Sequence, residues 1–231
     1  MKSKLKILTA SLLAAGLTVA VTQPAIADTQ LTLTGPILGN TVGPQSTQNP
    51  CVIAATNCQQ PAGFGYNNYT QGGNISAYNM YSTTPTANVA DGVQGTPYTV
   101  GQLTAAGLTS FVIGIDVNTA QNGETLQSFQ VIIGGAGGNN DYFYNGPTLI
   151  GNIANNGNGF ADFTLGTVDL TGLASATTVL FHAVWTGGTD GGEHFFLVSA
   201  NAVPEPETYA MLLAGLGLMG FVARRRRRNA M

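Results

Sequence analysis

Few side chains in this sequence can do chemistry, and their spacing narrows what they can do. The only two histidines are His182 and His194, with Glu193 as the one acidic neighbour in sequence. In Phe181-His182-Ala183-Val184-Trp185 a period of two puts His182 on the face opposite Phe181 and Trp185, and His194 opens the run His194 to Val198. Were those two runs paired strands, both imidazoles and Glu193 could approach as zinc ligands. The His-Glu-x-x-His spacing is missing, however, and no cysteine is near in sequence. A serine hydrolase of the Gly-x-Ser-x-Gly kind has no visible nucleophile. Gly134-Gly135-Ala136-Gly137-Gly138 lacks the spacing, the lysine and the helix of a phosphate loop, and reads as a flexible hairpin turn.

Charge placement says more. All eight basic residues lie at the ends: Lys2, Lys4 and Lys6 at the front, and Arg224, Arg225, Arg226, Arg227 and Arg228 at the back. Between Asp28 and Val203 there are nine carboxylates and no Lys or Arg. Phosphate neutralisation supplies most nucleic-acid affinity, so nucleic-acid binding is excluded. Unpaired acids repel one another, and a hard cation taking carboxylate and carbonyl oxygens relieves that. The best local cluster is Asp116, Asn118 and Glu124, a strand end running into a turn, and it is the candidate calcium site. It departs from an EF-hand loop, because Ala120 stands at the third ligand position. The other reading is solvated acids in turns, where Asp and Asn belong anyway. No cofactor is required by anything in the pattern. A glycosidase would need two acids held across a sugar cleft, with Tyr66, Tyr69, Tyr78, Tyr81, Tyr142 and Tyr144 as stacking candidates. No enzymatic activity is expected.

The elements that must position these groups are strands. In Thr109 to Val117 the odd positions Phe111, Ile113, Ile115 and Val117 are apolar. Similar alternation runs through Ser128 to Ile133, through Phe163 and Leu165, and from Val179 to Trp185. Gly- and Asn-rich clusters separate these runs, with no amphipathic helix between them. The fold class is therefore all-β, an antiparallel β-sandwich or jelly-roll-like single domain over residues 28–202. Its N-terminal part, 39–99, is rich in Thr, Asn, Gln, Gly and Pro and reads as short edge strands and long loops. Cys51 and Cys58 enclose six residues and, in an exported chain, form a structural disulfide.

Both ends are targeting segments. Residues 1–27 combine a basic start, an apolar run and the triplet Ala25-Ile26-Ala27, a signal peptide cleaved before Asp28. At the other end Pro204, Glu205 and Pro206 lead into the apolar run Tyr209 to Ala223 and then into the five arginines. As a helix those fifteen apolar residues span about 22 Å, short of a ~30 Å hydrocarbon core but workable with Thr208 and a snorkelling Arg224, and the arginines stay cytoplasmic and leave the body outside.

This tail resembles the PEP-CTERM sorting signal of Gram-negative bacteria. Pro204, Glu205 and Pro206 match the motif, Leu212 to Ala223 the helix, and Arg224, Arg225, Arg226, Arg227 and Arg228 the basic cluster that sets orientation. Tails of this kind are also labelled an ice-binding protein C-terminal domain, a name that concerns the tail and not the body. The resemblance implies handling by an exosortase at the inner membrane, in bacteria making exopolysaccharide and biofilm. It covers residues 203–228 and is silent on the body. The expected role is structural or adhesive, at the cell surface or in the extracellular matrix. The alternative is a carbohydrate- or ice-surface-binding module, with calcium as an aid.

Overall fold

The computed structural model describes residues 28–54, 58, 67–68, 73–79, 95–118, 123–135, 142–151, 157–188, 193–200 and 219. Residues 1–27, read above as a signal peptide, and the tail from residue 201 on, apart from Met219, lie outside the described residues. In chain order the strands are β1 (Thr29–Gln30), β2 (Leu33–Thr34), β3 (Cys51–Ala54), β4 (Asn67–Asn68), β5 (Gly73–Tyr78) and β6 (Tyr98–Thr99). A short helix α1 (Val100–Ala105) follows. Then come β7 (Ser110–Asp116), β8 (Thr125–Ile133), β9 (Tyr142–Leu149), β10 (Phe163–Asp169), β11 (Thr178–Gly188) and β12 (His194–Ser199).

Two six-stranded sheets result. The first has the order β1-β9-β8-β11-β5, with β6 also on β11; the second has the order β2-β10-β7-β12-β3-β4. The alternation explains why they pack on each other. Phe111, Ile113 and Ile115 of β7, with Val117 just beyond it, are fully buried, as are Phe129 and Val131 of β8 and Phe181 and Ala183 of β11. Rings of opposite sheets meet: Phe129 stacks on Phe195 at 5.4 Å, Trp185 tilts against Phe195 at 5.5 Å, and Phe111 lies 6.0 Å from Phe181. The all-β expectation is met. The antiparallel expectation holds for the long strands and fails at two edges, where the two-residue pairings β1–β9 and β3–β4 are parallel. Residues 29–34 cause the first exception, because β1 joins the first sheet and β2, two residues later, the second.

Three departures have physical causes. Helix α1 was not expected, yet Thr99 caps it by a reciprocal box: Thr99 Oγ1 accepts from the Gln102 amide at 3.2 Å, and Gln102 Oε1 accepts from the Thr99 amide at 2.7 Å. It stops at Gly107, whose φ of 81° allows Leu108 N–H to reach Leu103 O at 2.9 Å. Strand β9 was not expected either, and it carries Tyr142 and Tyr144 inward. Both are largely buried, Tyr142 hydroxyl donating to Asp169 O and Tyr144 hydroxyl to Thr148 Oγ1, and Tyr144 also lines a cleft of about 300 Å³ with Thr148 and Phe163. Finally, the second sheet's outer face is covered. Cys51, Ala54, Cys58, Ala161 and Phe196 form a smaller buried cluster there, with Ile37, Val42 and Val198 against it. That layer buries Gly114 and Asp116, the even positions of β7. A Cβ on Gly114 would lie 2.6 Å from the Phe196 ring opposite, so only glycine lets that ring lie flat on the strand.

Candidate functional site

At the Asp116 end of β7 the chain gathers four buried carboxyls: Asp116, Glu124, Asp162 and Glu193. Three accept backbone amides from loops that have left the sheet ladder. Asp162 Oδ2 accepts from Val117 at 2.9 Å, Glu193 Oε2 from Asn118 at 2.6 Å, and Asp116 Oδ2 from Gly159 at 3.0 Å. A carboxylate thus stands in for the missing strand partner at each chain reversal. Asp116 Oδ2 also accepts from Gln45 Nε2 at 2.6 Å, while Asp116 Oδ1 is buried without a hydrogen-bond partner.

Burial and mutual repulsion set the protonation of this end. Burial, followed by the charge of Asp162, raises Asp116 to about 7 against the pull of Gly159, Gln45 and the Gly157 amide. Burial raises Asp162 to about 6, opposed by the Val117 amide. Burial and the adjacent Glu124 hold Glu193 above the ordinary carboxyl range, so this pair keeps a proton between them.

In front of Asp116 lies a cleft of about 340 Å³ lined by Pro44, Gln45, Asp116, Gly157, Asn158, Gly159 and His194. Gln45 ties its walls together. Its Oε1 accepts from His194 Nδ1 at 2.9 Å, since an amide oxygen can only accept, and lies 3.1 Å from Cys58 Sγ. Among the described residues, one trio of metal-ligating side chains brings its ligand atoms within 4.8 Å of one another, Cys51, Cys58 and His194. The two sulfurs are joined in a disulfide and are not thiolates, so this trio holds no zinc in the oxidised chain.

The residues singled out from spacing are distributed as follows. Asp116 and Glu124 stand in the buried acid group, whereas the Asn118 residue is exposed and contributes its backbone amide to Glu193. His182 and His194 do not share a ladder: β11 lies in the first sheet and β12 in the second, so the imagined pairing of His182, His194 and Glu193 does not form. Tyr66, Tyr69 and Tyr81 lie outside the described residues. So do the residues of the two targeting segments: Ala25 and Ala27 at the cleavage triplet, Pro204, Glu205 and Pro206 of the motif, and the cluster Arg224, Arg225, Arg226, Arg227 and Arg228.

His182 has partners of its own, on the face of the first sheet turned away from the core. Nδ1 donates to Gln130 Oε1 at 3.1 Å, Nε2 accepts from Ser76 Oγ at 2.9 Å, and the ring stacks on Tyr78 at 3.9 Å. Burial pushes the imidazole below its ordinary value and keeps it neutral. The serine, histidine and glutamine sit on the neighbouring strands β5, β11 and β8, and the cleft beside Asp116 does not reach them. The arrangement is a cross-strand polar ladder. Spacing could not have revealed it, because the partners are 52 and 106 positions apart.

Comparison with known proteins bears on the tail alone. No curated protein and no solved structure matches the chain. The family model that matches is the PEP-CTERM protein-sorting motif, over residues 202–228, a span that takes in Pro204 to Pro206 and all five arginines, Arg224 to Arg228. Among the described residues no helix is long and apolar enough to cross a membrane, and the apolar run of the tail lies outside them. The carboxyl end of the chain is therefore a PEP-CTERM sorting motif, the mark of an exported protein that an exosortase processes.

Proposed function

We propose that the protein is an exported component of the cell envelope or extracellular matrix, with a structural or adhesive role among exopolysaccharides. The observation that carries this reading is the sorting motif at 202–228. The body is consistent with such a role: a disulfide, a two-sheet core and no Lys or Arg between Asp28 and Val203. In this reading the signal peptide ends at Ala27 and the mature chain begins at Asp28. Pro204, Glu205 and Pro206 are read by the exosortase, while Arg224, Arg225, Arg226, Arg227 and Arg228 fix the orientation. The test is a triple replacement of Pro204, Glu205 and Pro206 by Ala. The variant is expected to stay in the inner membrane while the parent chain is released; unchanged release overturns the proposal.

One observation favours the carbohydrate-binding alternative. The cleft at Asp116 presents amide, carboxylate and imidazole groups from Gln45, Asn158, Asp116 and His194, the group types that hydrogen-bond sugar hydroxyls. Retention of the protein on immobilised exopolysaccharide, lost in Asn158→Ala, is the expected result under that alternative. The ice-surface version draws on residues 64–99, most of which lie outside the described residues.

A further inference from the structure

We infer that the cleft beside Asp116 is a binding site for one hard divalent cation, calcium being the fitting one, with Asp116 Oδ1 as its anchoring ligand. Two independent observations meet there. The first is an oxygen with nothing to bind. Asp116 is 3% exposed, its Oδ2 is fully used by Gln45 and Gly159, and its Oδ1 is buried with no hydrogen bond, although the residue lines a cleft large enough for an ion and its water. A buried carboxylate oxygen in that condition is costly, and a cation reaching it through the cleft removes the cost.

The second observation is the charge around it. The buried acidic groups at this end come from four segments: Asp116 ends β7, Asp162 precedes β10, Glu124 precedes β8, and Glu193 precedes β12. The His194 ring lines the same cleft and hydrogen-bonds Gln45. Between Asp28 and Val203 no Lys or Arg exists to supply a countercharge, so these acids are neutralised by protons or by a cation from solution.

The donor set selects the class of ion. Oxygen donors line the cleft, from Asp116, Asn158 and Gln45, and the nearby sulfurs are closed as a disulfide. His194 also lines the cleft, its Nδ1 spent on Gln45; loosely arranged donors that are mostly oxygen suit calcium, whereas zinc calls for several nitrogen or sulfur ligands and magnesium for a near-ideal octahedron. Among the described residues no three carboxylates converge within 4.8 Å, so water from the cleft completes the shell and the affinity falls in the weak range of extracellular modules, about 10⁻⁴–10⁻³ M. The protein ligands on the cleft are Asp116, with Gln45 and Asn158 beside it. They replace the set Asp116, Asn118 and Glu124 suggested by spacing.

The experiment is equilibrium dialysis of the purified full-length chain in detergent against radioactive calcium, with thermal melting in parallel. One calcium per chain with a dissociation constant in that range, and melting raised by calcium, are expected. Asp116→Asn should weaken binding at least ~10-fold, and the exposed Asp169→Asn should leave it unchanged. No bound calcium in the parent chain at millimolar concentration overturns the inference. So does equal binding by the parent and a folded Asp116→Asn, and the parent measurement decides the matter if that variant does not fold. The outcome is independent of how the tail is sorted.

Discussion

Asp116 and Asp162 carry folded-state values of about 7 and about 6, above the 3.8 of an ordinary aspartate. A raised acid contributes its full stability below the unfolded value and loses it as pH climbs through the folded one. In calcium-free buffer the chain is therefore expected to be most stable near pH 4. With solvent screening discounted, it should lose roughly 3–6 kcal/mol between there and pH 8. Asp116→Asn should flatten the profile, and a melting temperature that rises over this interval would contradict the assignment. Two of the four buried acids, Asp116 and Glu124, could be picked out from the sequence because they flank one turn. Glu193 stood out only as the acidic neighbour of His194, and Asp162 and Gln45 not at all. Their contacts with the Asp116 to Asn118 segment span 75, 45 and 71 residues, and only the crossing of strands between two sheets brings them together.

Elements differ in how plainly their sequences declare them. Strands β7, β8, β11 and β12 were legible because one face of each is apolar and packs on a partner sheet, and that alternation survives any choice of topology. Strand β9 was obscured by Gly146 and Pro147 within it and by only two inward rings, Tyr142 and Tyr144. Helix α1 did have a readable signal, the box Thr99-x-x-Gln102, but six residues containing a glycine are too few for a 3.6 period to show. Because so short a helix depends on its cap, Thr99→Ala is expected to cost about 1 kcal/mol in denaturant unfolding. A neutral result would place its stability in the burial of Val100 and Leu103 instead.

At the scale of the whole molecule the charge is one-sided. Nine carboxylates between Asp28 and Val203 face no basic residue of that stretch, so self-repulsion opposes the compact state at neutral pH. Raising sodium chloride from about 0.01 to about 0.5 M shortens the screening length from roughly 30 Å to under 8 Å. The melting temperature is expected to rise with it, the reverse of a fold held by surface ion pairs, and a fall would show that repulsion is not the controlling term. Strand β12 adds a direction to this asymmetry. His194, at its start, pairs with Asp116 beside the acid group, whereas Ser199, at its end, pairs with Phe111, and its hydroxyl donates to Gly107 O at 3.2 Å. Five steps along the strand, about 17 Å at strand rise, separate the two ends. Ala200, which follows β12, therefore lies at the end beside α1, and the cleft beside Asp116 lies at the opposite end of that strand.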